Sequence, residues 1–183
     1  MKELSLNILD IAENSVKAKA TLTEILIDEN DEKIVIAIRD NGCGMDNETV
    51  QAAQNPFYTT RTTRNVGLGI PLFKMQSEQT GGKFALESRH VSEHPDNHGT
   101  YISASFYKNH IDFTPLGDVV SSITTLIHGH PDTDFLFRHK SEKTEVNLDT
   151  RELREVLGDT PLNTFEVIKW IEEFLREQYS ENN

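Results

Sequence analysis

Two hydrophobic periods alternate along this chain. From Leu4 to Lys19 the apolar residues Leu6, Ile8, Leu9, Ala12 and Val16, with Ala20 just beyond, recur at helical spacing, and Ser5 or Asn7 are candidate caps. Thr23 to Asp28 and Lys33 to Arg39 alternate with the period of two that marks half-buried strands. The polar Glu29-Asn30-Asp31-Glu32 between them predicts a hairpin turn. Asp46 is placed to cap a short helix over Asn47 to Ala53. Asn55 to Asn65 is rich in hydroxyls and poor in aliphatics, and reads as a loop. Gly67-Leu68-Gly69 opens a helix that runs to about Gln79, where Gly81-Gly82 stops it. Lys83 to Arg89 and Gly99 to Tyr107 predict two further strands on either side of a polar loop, Val91 to His98.

The pattern changes character after Asn109. Phe113-Thr114-Pro115-Leu116-Gly117 reads as a connector. Asp118 to Ile127 is an amphipathic helix, and Asp134 to His139 with Thr144 to Asp149 forms a hairpin around Lys140-Ser141-Glu142-Lys143. Thr150 to Leu157 is a helix ended by Gly158. A final helix spans Thr164 to about Tyr179, with Phe165, Ile168, Trp170, Ile171, Phe174 and Leu175 on its apolar side. No repeat or low-complexity segment interrupts the chain. The expected division is an N-terminal domain over residues 1–109 and a small α/β extension over 110–183.

Composition narrows the class. The 183 residues suffice for one domain with a small appendage, and 36% hydrophobic content suits a globular protein. No apolar run approaches the ~20 residues that span a bilayer, and no secretory leader is legible at the start. A single cysteine forms no internal disulfide, so a cytoplasmic setting is expected. The net charge of -12 argues against binding along a nucleic-acid backbone, which requires clustered Lys and Arg. It leaves room for a nucleotide held in a local pocket with a metal ion.

Four short elements carry the candidate chemistry. Asp10-Ile11-Ala12-Glu13-Asn14-Ser15-Val16-Lys17 lies on the first helix; its carboxylate and amide, four residues apart, share one face. Asp40-Asn41-Gly42-Cys43-Gly44 follows a strand, so a carboxylate able to accept from an exocyclic amine precedes two glycines that admit close approach of a flat ring. Gly67-Leu68-Gly69-Ile70 begins a helix, whose N-terminal N–H groups favour phosphate. Gly99-Thr100 opens a late strand.

In this order the four elements resemble the N, G1, G2 and G3 boxes of the ATP-binding (Bergerat, or GHKL) fold shared by histidine kinases, type II topoisomerase and Hsp90 nucleotide domains, and mismatch-repair clamps. The resemblance covers about residues 1 to 108. It implies an α/β (α+β) two-layer sandwich, a mixed β-sheet covered by helices on one face, and ATP with Mg²⁺ as ligands. By resemblance Asn14 is the magnesium ligand, Asp40 the adenine-selecting carboxylate with Gly42 and Gly44 beside it, and Gly67, Leu68 and Gly69 the phosphate-binding helix start. Thr100 matches the threonine that supports the base-binding carboxylate. Lys17 resembles the lysine that approaches the phosphates in histidine kinases. Pro56-Phe57-Tyr58-Thr59-Thr60-Arg61 is similar to their F box, which places Phe57 and Arg61 on an ATP lid, with Arg64 further along it.

Two branches stay open. Ala12-Glu13-Asn14-Ser15 with the Asp40 motif looks like mismatch-repair clamps, whereas Lys17, the F box and Gly67-Leu68-Gly69-Ile70 look more like histidine kinases. The hydrolysing branches carry a glutamate base where this chain has Asp10. The N box begins near residue 10, which is expected to leave no room ahead of it for a phosphoacceptor hairpin. A kinase of this form would phosphorylate a separate protein, as anti-sigma-factor serine kinases of this fold do, and would serve signal transduction. The alternatives are an ATP-gated switch or weak ATPase of clamp type, and a module that senses ATP without chemistry. A homodimer is compatible with either branch; nucleic-acid and membrane partners are not expected.

The remaining chemistry-bearing residues have plainer readings. Cys43 reads as a small tolerated side chain, Lys74 as a surface residue, and His128-Gly129-His130 as a loop after a helix rather than half of a metal site with His139. His90, His94 and His98 read as solvent-exposed, and Trp170 as a core residue of the last helix.

Overall fold

A computed structural model describes residues 3–55 and 68–181. Its elements are α1 (Leu4–Lys17), β1 (Leu22–Glu29), β2 (Lys33–Asp40), α2 (Asn47–Ala53), α3 (Gly69–Gln79), β3 (Phe84–Arg89), β4 (Gly99–Tyr107), α4 (Val119–Gly129), β5 (Asp134–Lys140), β6 (Glu145–Asp149), α5 (Thr150–Leu157) and α6 (Phe165–Glu181). The strands form one six-stranded sheet in the order β3-β4-β2-β1-β5-β6. Every pairing is antiparallel except β1 with β5, which is parallel.

Alternation along the strands makes the layers. Ile25 and Ile27, then Ile34, Ile36 and Ile38, then Ile102, Ala104 and Phe106, then Phe135 and Phe137 are all buried on one face. There they meet Leu4, Ile8, Ile11 and Ala12 of α1, Ile70 and Phe73 of α3, and Val120, Ile123 and Ile127 of α4. Each fully buried side chain of this kind contributes about 1.5–3 kcal/mol. Glu24, Arg39 and Tyr101 occupy the opposite parity of their strands. The result is the mixed-sheet α/β sandwich that the resemblance implied.

The C-terminal elements extend the same sheet. α4 precedes β5 as α1 precedes β1, and the two helices lie side by side, so β5 enters parallel to β1. Each of these strands then turns back through a hairpin, to β2 and to β6. His130 at the end of α4 bonds Glu13 of α1 at 2.8 Å. The connector 113–117 also explains how α1 starts. Leu4 and Ser5 donate their backbone N–H groups to the carbonyls of Pro115 and Leu116. Glu3 therefore occupies the cap position without a side-chain cap bond, and the two expected caps lie inside the helix. Asn7 is fully buried, and its side-chain amide has no hydrogen-bond partner among the described residues.

α6 departs from the expected face. Its buried stripe is Val167, Ile171 and Leu175, at i, i+4 spacing. Trp170 lies one helical step away at the margin, 48% exposed, and stacks on Phe174 with centroids 4.9 Å apart. It is not the core residue expected from its place on the helix's apolar side, and Phe165 is also exposed. No helix among the described residues is long and apolar enough to cross a membrane.

At the end of the sheet away from the strand-end glycines, β5, β1 and α6 meet through a buried histidine. His139 Nδ1 lies 2.8 Å from Tyr179 Oη, and Nε2 lies 3.1 Å from a Glu29 oxygen. The other Glu29 oxygen accepts from Lys108 at 2.7 Å. Burial outweighs the attraction of Glu29 and Asp28, so folded His139 binds its proton below the ordinary value of 6.5. The unfolded chain then takes up more protons in that window, and stability is lost as pH falls below about 6.5 through the lowered value. Thermal unfolding followed from neutral pH down to about pH 5 should show this loss. A His139→Gln variant should have a lower midpoint at neutral pH but a flatter dependence; parallel slopes would assign the effect to other groups.

Candidate nucleotide-binding site

The end of β2 is held from two sides. Asp40 Oδ2 accepts from the Ser15 hydroxyl of α1 at 2.8 Å, and Oδ1 accepts from Gly42 N–H at 2.8 Å. Cys43 N–H donates to the Ala18 carbonyl at 2.9 Å, so the turn after β2 lies against the end of α1. The side-chain oxygen of Asn41 accepts from Thr21 and Leu22 N–H at 2.9 and 3.0 Å, which ties in the start of β1.

Packing within the chain dictates the glycines here. A Cβ on Gly42 would meet Ala18 Cβ and carbonyl oxygen at 2.9 Å and Asp40 Oδ1 at 3.0 Å. Gly44 has φ +69°, and a Cβ there would lie 1.9 Å from the Arg89 carbonyl oxygen. Gly99 has φ +134°, and a Cβ there would lie 2.0 Å from the Asp40 carbonyl oxygen. Both conformations and both approaches exclude an ordinary side chain. Any room these glycines give a ligand is additional to that requirement.

β4 begins opposite this turn. The register sets Thr100 across from Asp40, on the same face of the sheet. Asp40, Val50, Leu86, Ser88, His98 and Thr100 are among the residues lining a cavity of about 500 Å³. Two of them were not legible as site residues. Ser88 Oγ bonds Met45 N–H at 2.8 Å, the Gly99 carbonyl at 3.1 Å and Thr100 Oγ1 at 2.8 Å. His98, expected in solvent, lies with Nδ1 2.5 Å from the Gly42 carbonyl; a carbonyl only accepts, so this nitrogen carries the proton.

α1 and α3 form a second wall. Asp10, Asn14 and Lys17 are spaced by four and three residues and so share one side of α1. A Cβ on Gly69 would lie 3.0 Å from Asp10 Oδ2, which places the start of α3 against that side. Leu68 is the cap residue, is exposed, and supplies no side-chain cap bond. Among the described residues no side chain caps the first N–H groups of α3, the arrangement that favours an anion. Lys17 is exposed on the last turn of α1. Phe57, Arg61, Arg64 and Gly67 lie outside the described residues. Lys74 is half-buried rather than a free surface charge: it bonds Gln54 at 3.3 Å and its Nζ lies 5.9 Å from the Phe84 ring centroid.

A magnesium ion fits this donor set. Neither the Asn14 amide nor the Asp10 carboxylate is engaged in a hydrogen bond among the described residues, and both offer hard oxygens on one helix face. No cluster of three or more His, Cys, Asp or Glu able to hold a metal occurs among the described residues. An ion at Asn14 would therefore draw its other ligands from phosphate and water, as Mg²⁺ commonly does. The histidines lie elsewhere: His128 is exposed, His130 bonds Glu13, and His139 is buried on β5.

Known proteins share sequence and fold with this chain. A putative sensor protein of Shewanella frigidimarina is 27% identical over 85 residues, 44% of this chain and 13% of that protein. The sensor histidine kinase YvrG of Bacillus subtilis is 31% identical over 101 residues, 52% of this chain and 16% of that one. The match thus spans under a fifth of either curated relative. The N-terminal domain of a DNA repair protein superposes with a TM-score of 0.53 at 16% identity, covering 81% of this chain and 53% of that one. The Aquifex aeolicus MutL ATPase domain, solved with ADP, gives a TM-score of 0.50 at 15% identity over 100% and 99% of the two chains. At such identities the structures establish shared fold. The family model for histidine kinase-, DNA gyrase B- and HSP90-like ATPases matches residues 2–110, more than half of the chain, and this protein belongs to that family.

Proposed function

We propose that this chain binds Mg-ATP at the β2–β4 end of the sheet and passes the γ-phosphoryl group to an acceptor side chain on another protein. One observation carries the reading. A strand-end carboxylate, its cross-strand hydroxyl partner, and a helix start beside two oxygen-bearing side chains, with no side-chain cap and no side-chain bond to Asp10 or Asn14 among the described residues, converge on one end of the sheet. Asp40 would accept from the adenine amine, with Thr100 beside it. Asn14 would hold the metal ion, which supplies charge neutralisation at the phosphates. Lys17, Arg61 and Gly67 are assigned to the phosphate side from sequence, and Phe57 to the lid over the nucleotide. Phosphoryl transfer needs little covalent help from a protein, so positioning and charge account for most of the rate. A relative carrying the name sensor histidine kinase supports transfer over simple binding. Residues 110–183 are assigned the role of an appended unit that braces α1 through His130 and the connector.

A second reading, hydrolysis coupled to a switch in shape, is favoured by one feature. Asp10 stands one turn before Asn14 and against Gly69, where a carboxylate could take a proton from water attacking the terminal phosphate.

Replacing Asp40 with Asn puts an amide N–H₂ among groups that need acceptors. ATP affinity should fall by about tenfold to hundredfold, the worth of one hydrogen bond to a charged group. Calorimetric titration with circular dichroism as the folding control measures this, and unchanged affinity would remove Asp40 from the site. Incubation with Mg²⁺ and γ-labelled ATP, alone and with cell extract, separates the readings. Label on a protein that disappears with Asn14→Ala is the expected result. Free phosphate that disappears with Asp10→Asn would establish the hydrolytic reading, and binding with neither outcome would leave a sensor.

A further inference from the structure

Ser88 belongs to none of the four sequence motifs, yet its hydroxyl joins three segments around the cavity. It lies on β3, facing the helix layer, with Met45 N, the Gly99 carbonyl and Thr100 Oγ1 all within bonding distance. A hydroxyl has one proton and two lone pairs. The Gly99 carbonyl can only accept, so the contact at 3.1 Å takes the Ser88 proton. Met45 N–H can only donate, and takes one lone pair. One lone pair remains, and the Thr100 hydroxyl, at 2.8 Å, is the donor that fills it. The opposite arrangement, with Ser88 donating to Thr100, leaves the Gly99 contact without a proton and one Ser88 lone pair empty.

This fixes the direction of the Thr100 hydroxyl. Its proton is spent on Ser88, and its lone pairs are left for the cavity that it lines together with Asp40. Asp40 stands opposite Thr100 in the register, which sets their Cβ atoms about 5 Å apart. Both Asp40 oxygens already accept, from Ser15 and from Gly42, and a carboxylate has further lone pairs to offer. The Asp40 and Thr100 side chains therefore present acceptors to the cavity, while the donors Arg39, Arg89, Asn47 and Asn97 line other parts of it. An exocyclic amine meets the two acceptors with protons. A carbonyl oxygen in the same place would set acceptor against acceptor, and the pairing of an amine there would be lost.

We propose that Ser88 is a positioning residue that orients the Thr100 hydroxyl as an acceptor and thereby makes the pocket select 6-amino over 6-oxo purine nucleotides. The inference rests on the reading of this site as the base pocket for ATP. The test compares ATP with inosine triphosphate, which bears a carbonyl in place of the amine at C6 and a proton on the adjacent N1. Dissociation constants are measured for the wild type, Ser88→Ala and Ser88→Thr. The wild type should prefer ATP by about tenfold or more, the value of one satisfied bond against an unmet one. In Ser88→Ala the Thr100 proton is free to turn into the cavity. The preference should then shrink several-fold, mainly through tighter binding of inosine triphosphate. Ser88→Thr keeps the hydroxyl and should restore it.

A merely structural role would weaken both nucleotides alike and leave the ratio unchanged, and that result would overturn the proposal. If Ser88→Ala does not fold, Thr100→Val answers the same question: it should cost ATP more affinity than inosine triphosphate, and equal losses would overturn the proposal. A wild type that binds ATP without discriminating sinks this inference alone. A wild type that binds neither nucleotide sinks the underlying assignment of the site as well.

Discussion

The Asp40 carboxylate, held by the Ser15 hydroxyl and the Gly42 N–H, is the interaction around which this end of the molecule is organised. It fixes the end of the central hairpin to the first helix. Gly42 can then lie on Ala18, and the turn can run close enough to β3 and β4 that Gly44 and Gly99 touch backbone carbonyls. His98 and Ser88 close the ring from the far side. A half-buried carboxylate needs its lone pairs met, and two donors from different elements meet some of them. It stays an acceptor, which is what an amine-bearing ligand requires.

The C-terminal elements matter to this arrangement more than their separation along the chain suggests. The family match stops at residue 110, but the sheet continues through β5 and β6, and the connector before α4 supplies the carbonyls that receive the first N–H groups of α1. α1 carries Asp10, Asn14, Ser15 and Lys17. Its start is set by residues 115 and 116 and its middle by the Glu13–His130 bond. The position of the site's main helix is thus shared between the matched region and the C-terminal extension.

Much of the fold was legible because periodicity reports burial directly. The Ile25-Ile27 and Ile34-Ile36-Ile38 alternations could only be strands with one dry face, and Asp46 was a recognisable cap, accepting an N–H three residues on. The parallel pairing of β1 with β5 was not legible, because pairing between distant strands leaves no local mark. The cap of α1 was misplaced for a related reason: its N–H groups are satisfied by a connector more than a hundred residues away. Trp170 was misjudged because a wide apolar stripe does not say where its margin falls. At the site, residues next to glycine-rich motifs drew notice through spacing. Ser88 and His98 did not, since a serine within a strand and a histidine in a polar loop carry no pattern until tertiary contacts assign them partners.

Everything proposed for this protein turns on whether the nucleotide sits at the β2–β4 end of the sheet. A crystal structure with Mg²⁺ and a non-hydrolysable ATP analogue decides it. The adenine amine should lie on the Asp40 carboxylate, with Thr100 at the base, the metal on the Asn14 oxygen and the phosphates at the start of α3. A nucleotide bound elsewhere, or a base held with no contact to Asp40, would contradict the assignment.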